Sequence, residues 1–352
     1  MEILTDLLRS MPGASEMSDL TAFISAAAIM ATIMFIVMAL CAIIFTWMER
    51  KVAGFLQSRY GPMRTGRWHG WAQAVADMLK ILGKEDIIPA EADKGLFMFG
   101  PILVLLGSLL AWAAIPWAPG FVAADFDLGL FYIFAVSSLV IMGLLMSGWA
   151  SNNKYALYGA ARGAAQMISY EVPLALSCIP VVMYVGSLNT MDIVIAQQGG
   201  IWNWFFLRNP FLFVAFIMYF IASIAETNRG PFDMPETESE LVAGYHTEYT
   251  GMRFAFFFLS EYANLFLVSL IVSMVFLGGW HAPFPGMPNI PALTFIIKGV
   301  LMVFLNMWVR WTLPRVRVDQ LMHLCWKVMI PITLICVIGA GIWMMVSGQA
   351  AA

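Results

Sequence analysis

The sequence predicts an all-α integral membrane protein of eight transmembrane helices, with one further amphipathic helix in its first polar loop. Three observations carry that expectation. Apolar residues make up 61% of the 352 positions and charged residues only 12%, with a mean hydropathy of +0.80, far from an ordinary soluble domain. The apolar residues gather into eight runs that approach or exceed the length needed to cross a bilayer. The basic residues fall almost entirely into alternate connections between those runs. No polar linker or charge run separates two halves, so residues 1–352 are expected to form one polytopic domain.

The first twenty residues carry Glu2, Asp6, Glu16 and Asp19 against Arg9. That is the reverse of a basic signal sequence, and no cleavable leader is expected. Span one runs from Leu20 to Met48. Span two is Gly95–Ala124 and span three Leu128–Asn153. Span four, Ala164 to about Ser187, contains Glu171, Pro173 and Pro180. Span five is the short run Asn209–Ala225. Span six, Phe254 to about Trp280, contains Glu261. Span seven, about Ala292 to Trp311, contains Lys298, and span eight is Val328–Val346.

Sixteen of the nineteen Lys and Arg residues lie in the connections after spans one, three, five and seven. The exceptions are Arg9, Arg208 and Lys298. The positive-inside rule places the sixteen in the cytoplasm and both termini outside, which agrees with an even number of spans. In the long first connection Trp68, Trp71, Ala72, Val75, Met78, Leu79 and Leu82 recur at helical spacing, with Asp77 and Lys80 off that stripe. This pattern predicts an amphipathic helix over 68–82. It suits either the membrane interface or the surface of a partner.

The stretch Ser223–Arg253 organises the chain. It holds Glu226, Asp233, Glu236, Glu238, Glu240 and Glu248 against Arg229 and Arg253. Pro231 and Pro235 make its start irregular. Thr237-x-x-Glu240 is a capping-box pattern for a short helix near Glu238. Excess unpaired charge is costly beside hydrocarbon. Glu261 lies roughly 12 Å along span six, and Glu171 sits beside Pro173. These acids suggest a chain of carboxylates leading from the cytoplasmic side into the membrane. Neighbouring buried carboxylates raise one another's affinity for protons, which suits proton relay. Pairing with Arg or Lys to pin helices is the structural alternative. A second cluster, Glu49-Arg50-Lys51 followed by Arg59-Tyr60-Gly61-Pro62, suits either a slot for an amphipathic ligand or ordinary cytoplasmic anchoring.

Cys41, Cys178, Cys325 and Cys336 have no metal or redox spacing. No two of His69, His246, His281 and His323 share a span, and no nucleotide-binding glycine loop follows a strand-like run. The chain is expected to bind no flavin, haem, iron–sulfur cluster or other metal of its own, and no nucleic acid. Any electron carrier belongs to a partner or is a diffusible lipid.

Several motifs together resemble the respiratory complex I subunit at the junction of the hydrophilic and membrane arms. That family comprises the H subunit of bacterial NADH:quinone oxidoreductase and subunit 1 of the mitochondrial enzyme. The motifs are Glu49-Arg-Lys with Arg59-Tyr-Gly-Pro, Ala76-Asp-Met-Leu-Lys80, Lys84-Glu-Asp-Ile-Ile-Pro89, Ala165-Gln-Met-Ile-Ser-Tyr-Glu171, Ala225-Glu-Thr-Asn-Arg-Gly-Pro-Phe-Asp233, Glu238-Ser-Glu-Leu-Val-Ala-Gly244, Glu248-Tyr249, Ser260-Glu-Tyr262 and Pro314-Arg-Val-Arg-Val-Asp-Gln-Leu321. The resemblance implies eight spans with both termini outside, in a bacterial inner membrane. Span one, the amphipathic helix and span six would frame a tunnel for quinone, the substrate. Glu171, Glu226, Glu236, Glu238, Glu240, Glu248 and Glu261 match positions in or near an acidic funnel that couples quinone reduction to proton pumping. Arg50, Arg229 and Asp233 match polar positions along the tunnel.

The implied partners are hydrophilic-arm subunits carrying the terminal iron–sulfur cluster and the quinone head site, neighbouring membrane-arm subunits, and lipids. Gly61-Pro-Met-Arg-Thr-Gly-Arg67 departs from the family's usual Gly-Pro-Asn-Arg-Val-Gly-Pro. Two other readings compatible with the residues are the membrane anchor of an energy-converting hydrogenase or formate hydrogenlyase, and an independent secondary transporter.

Overall fold

The computed structural model describes residues 19–284, 286 and 288–348, without the side chains of Asp19, Leu20, Glu238 and Ser239. The expectations about a leader and about the two termini fall on residues outside that set. Helix α1 spans Asp19–Leu56. Its 38 residues extend about 57 Å, well beyond a hydrocarbon layer of about 30 Å. The helix therefore continues two turns past the expected end and carries Glu49 with it. Helix α2 is Gln73–Leu82, one turn shorter than its apolar stripe. Residues 67–70 turn instead, with Arg67, His69 and Gly70 all at positive φ. A Cβ on Gly70 would lie 2.5 Å from the Pro62 carbonyl, so that turn needs glycine.

Helix α3, Lys94–Ala111, continues as a short 3-10 turn to Ala114. It stops earlier than the apolar run because Ile115 precedes Pro116 and is extended, at φ −80 and ψ 120. Helix α4 is Gly129–Ala150. It packs on α3 through facing glycines, where a Cβ on Gly143 would lie 3.0 Å from the Gly100 carbonyl oxygen. Helix α5, Lys154–Val185, starts ten residues before the expected span. Asn153 caps it by accepting from the Tyr155 N–H at 2.9 Å, and Pro173 and Pro180 lie inside it. Short helices α6, Thr190–Ile195, and α7, Phe205–Arg208, lead to α8, Pro210–Glu226.

The acidic connection contains a four-residue helix α9, Glu238–Leu241. The capping box is not formed. The Thr237 hydroxyl donates instead to the Asp233 and Met234 carbonyls, at 3.1 and 3.0 Å. Helix α10 is Gly251–Val275 and α11 Pro291–Thr312. The last span is continuous from α12, Val318–His323, through a π-helical segment, Leu324–Met329, to α13, Ile330–Ser347.

Helix α10 is the axis of the bundle. Every residue from Leu265 to Val275 is buried, and α1, α3 and α11 pack around it. Among the described residues seven helices are long and apolar enough to cross a membrane, and α8 is a shorter apolar helix of 17 residues. The protein is a multi-pass membrane protein, and the expected count of eight rests on α8. The polar connections meet at one end. There Arg253 pairs with Asp86 at 3.0 Å, Asn152 donates to the Glu91 carbonyl at 3.2 Å, and the Val316 N–H donates to the Pro231 carbonyl at 3.1 Å.

Lys298 is tolerated in α11 because it reaches the loop after α10. Its ammonium donates to the carbonyls of Leu277, Gly279 and His281 at 2.6, 2.9 and 2.7 Å. It also lies 3.9 Å from the Trp204 ring centroid. A cation there satisfies loop carbonyls that would otherwise be costly to bury. Lys298→Met should destabilise the protein by on the order of 3 kcal/mol, because three carbonyls, buried or half-buried, lose their donor. A lowered thermal unfolding midpoint in detergent is the expected reading.

Candidate functional site

The site forms where α1, α10, α11 and the acidic connection converge. Asn228, at φ +52, turns the chain as it leaves α8, a conformation that asparagine tolerates better than most residues. The buried Gln166 amide on α5 then clamps the turn by donating to the Ala225 and Phe232 carbonyls at 2.6 and 2.7 Å. This local geometry drives Arg229 into the protein, where it is 3% exposed.

Arg229 is held between two carboxylates. Its Nη1 donates to Glu49 Oε2 at 2.6 Å, and its Nη2 lies 2.9 Å from Glu261 Oε1 as an ion pair. Its guanidinium carbon sits 4.2 Å from the Tyr262 ring centroid. Glu49 also accepts from the Tyr262 hydroxyl at 2.8 Å and from Arg310 Nη1 at 2.5 Å. Burial opposes the Arg229 charge, but Glu49 and Glu261 hold its pKa well above the ordinary arginine range.

A second layer of acids faces this cluster. Glu236 Oε1 accepts from the Tyr245 hydroxyl at 3.1 Å and lies 3.8 Å from His246 Nδ1. Burial, with Glu261 and Asp233 nearby, pushes the Glu236 carboxyl up to about 8. Burial likewise raises Asp233, against the pull of Arg310 and Arg315. Burial lowers His246 to about 4, so its imidazole is neutral at pH 7.

Two open cavities border these groups. One, of about 500 Å³, has Glu49, Arg50, Arg59 and Arg310 on its polar side and Phe254 and Phe258 on its apolar side. The other, of about 740 Å³, is bordered by Gly230, Asp233, Thr237, Leu313 and Arg315. Glu236, His246, Arg310 and Trp311 border both. Deeper lie two small cavities. One, of about 30 Å³, touches Glu226, Glu236 and Glu261, and one of about 20 Å³ touches Glu226 and Ser137. Ser137 donates to Glu171 at 3.5 Å.

The sequence-predicted residues therefore divide. Glu226, Asp233, Glu236, Glu261, Arg50 and Arg229 border the cavities or the cluster, and Glu171 joins through Ser137. Glu240 is exposed and pairs with Arg162 at 2.5 Å, whose hydrogen bond lowers its pKa. Glu248 accepts from Asn153 Nδ2 at 2.6 Å, away from the cavities. The side chain of Glu238 is outside the described set. Arg50 pairs with Asp77 of α2. Sequence reasoning missed Glu49, which it treated as part of a basic cluster, along with Arg310, Tyr262 and Tyr245. The signal for Glu49 was a carboxylate at the point where an uncharged run ends. Among the described residues no group of three or more His, Cys, Asp or Glu side chains is placed to hold a metal ion.

This is a membrane-spanning helical bundle with a buried charge cluster beside amphipathic cavities. Residues 29–341 match the family model described as NADH dehydrogenase, and the chain belongs to that family. It is 47% identical over 329 residues to the H subunit of the NADH-quinone oxidoreductase of Chlorobaculum tepidum, covering 90% of this chain and 91% of that one. The same identity and coverage hold for the H subunit of the Chlorobaculum parvum enzyme. That of Chlorobium luteolum is 47% identical over 330 residues, 90% of this chain and 88% of its own.

The site geometry sets two expected outcomes. Arg229→Met should destabilise the protein by about 3–5 kcal/mol, since Glu261 loses its ion-pair partner and Glu49 loses one of its two guanidiniums. Adding Glu49→Gln should recover part of that loss in a thermal unfolding series. The second outcome concerns pH. Folded Glu236 keeps its proton to about pH 8, whereas the unfolded chain releases it near 4.5. Its stabilising contribution is complete below the unfolded value and is lost as pH rises through the folded one. In Glu236→Gln the unfolding midpoint should fall less steeply between about pH 5 and 8. The variant should also lose a protonated-carboxyl infrared band that titrates near pH 8.

Proposed function

We propose that this chain is the H-type membrane subunit of a proton-pumping NADH:quinone oxidoreductase. In this role it forms a quinone tunnel with partner subunits and relays protons through its buried acids. The observation that carries the reading is that the cavity of about 500 Å³ and the cavity of about 30 Å³ share Glu236 and Glu261. A slot suited to an amphipathic ligand thus abuts a train of carboxylates.

The apolar wall made by Phe254 and Phe258 suits a prenyl chain or ring face, while Arg50, Arg59 and Arg310 suit a polar head. Reducing a quinone to the quinol takes two electrons and two protons. The electrons come from an iron–sulfur cluster in a hydrophilic-arm partner. Asp233 and Glu236 border the cavities and favour their protonated forms, so they are placed to give up protons locally. Glu49 is the anchored member, held by three donors. Replacement protons move among Glu261, Glu236 and Glu226 and onward through Ser137 to Glu171. Glu240 and Glu248, and Glu238 by its sequence position, lie at the cytoplasmic approach to this route. The single polytopic domain lies in a bacterial inner membrane among lipids, with the basic connections cytoplasmic and both termini periplasmic.

The test is Glu226→Gln in native membranes. The complex should assemble, while NADH-driven quinone reduction and proton uptake both fall by about tenfold or more. Unchanged turnover and pumping would return Glu226 to a packing role and sink the relay.

A further inference from the structure

Glu226 lies at the junction of two chambers. The chamber of about 30 Å³ and the chamber of about 20 Å³ share Val140, Met167, Glu226, Thr227 and Asn264 as walls. Each volume suits about one water molecule where polar partners are present. Val140 and Met167 offer no strong hydrogen bond. The Thr227 hydroxyl is engaged with the Ser223 and Ile224 carbonyls at 3.3 and 3.1 Å.

That leaves Asn264. It lies one helical turn beyond Glu261 on the same face of α10, and among the described residues its amide makes no hydrogen bond. A second unsatisfied group points to the same ligand. Asn228 Oδ1 is buried without a partner, and Asn228 lines the larger chamber together with Glu236 and Glu261.

We propose that Asn264 is the positioning residue of the proton step through Glu226. Its amide orients one water in each chamber, with Asn228 Oδ1 as a further acceptor in the first. This rests on the proton-relay reading above. The amide has both a donor and an acceptor but no proton to give at neutral pH, so it directs the transfer without carrying it. A proton passes from the Glu236–Glu261 side to the first water, which releases another to Glu226. Glu226 then releases a proton to the second water, which passes one on toward Ser137 and Glu171. One proton enters, one leaves, and no electron moves.

The experiment compares Asn264→Leu, Asn264→Val and Asn264→Thr with Glu226→Gln in the intact complex in native membranes. Readouts are assembly, NADH-driven quinone reduction, proton uptake and the solvent deuterium isotope effect on turnover. The apolar variants should assemble, turn over about tenfold slower and show an enlarged isotope effect, because proton passage becomes rate-limiting. Asn264→Thr keeps a donor and an acceptor and should restore most of the rate. The apolar variants running normally while Glu226→Gln is impaired would overturn the role of Asn264 and leave the relay standing. Glu226→Gln running normally as well would overturn the relay itself. Slow apolar variants with an unchanged isotope effect and no rescue by threonine would make Asn264 a packing residue.

Discussion

The site depends on one constraint: Arg229 is almost fully buried between Glu49 and Glu261. A guanidinium at that depth is tolerable only while carboxylates face it. With Arg310 on the other oxygen of Glu49, the cluster holds two guanidiniums and two carboxylates and is already balanced. Asp233 and Glu236 are therefore surplus acids beside a balanced cluster, and the pull of Arg310 and Arg315 on Asp233 does not outweigh its burial. Each keeps its proton more readily than an ordinary carboxyl, as burial and like charge require. Charge balance among the anchored groups is what makes the neighbouring groups exchangeable.

The same cluster ties the bundle together. Glu49 comes from the long first helix, Glu261 and Tyr262 from the central helix, Arg310 from α11, and Arg229 from the acidic connection. Each bond to Glu49 thus joins elements far apart in sequence. Gln166 adds α5 by holding both sides of the turn that presents Arg229. The bundle is polar at the end where these elements meet. In the other half of α10, from Leu265 to Val275, every residue is buried and all but Ser269 and Ser273 are apolar. The small chambers therefore sit where polar packing gives way to apolar packing, a position that confines any proton path to a few side chains.

Much of this was legible in the residues. Apolar run length gave the helices, because every backbone group in hydrocarbon must be paired internally. Their ends were harder to place. Asn153 extended α5 by capping it, Ile115 and Pro116 shortened α3, and Gly70 allowed a turn where the apolar stripe implied helix. The acids of Ser223–Arg253 drew attention by their excess. Their division into buried and exposed members did not follow from sequence, because Glu240 and Glu236 differ in what folds over them and not in local pattern. Glu49 was hidden by its neighbours, Arg50 and Lys51. Its partners, Arg229 and Arg310, lie 180 and 261 positions away, a separation that no local periodicity can reveal.

Under the proposed reading, a simple magnitude shows why such a cluster suits coupling. One unit of charge appearing about 6 Å from a carboxyl interacts by roughly 3 kcal/mol at an effective dielectric of about 20. That corresponds to a shift of about two pKa units. Glu236 stands at about 8. A negative charge arriving in the adjoining cavity would leave it firmly protonated, and the loss of one neighbouring carboxylate charge would let it ionise near neutral pH. An acid with an ordinary carboxyl pKa would stay ionised in both cases, and an acid far above neutrality would stay protonated in both. Glu236 is placed so that a single local charge change moves it from one side of neutrality to the other. Glu49, anchored by two guanidiniums and a phenol, keeps the surrounding field constant while that happens.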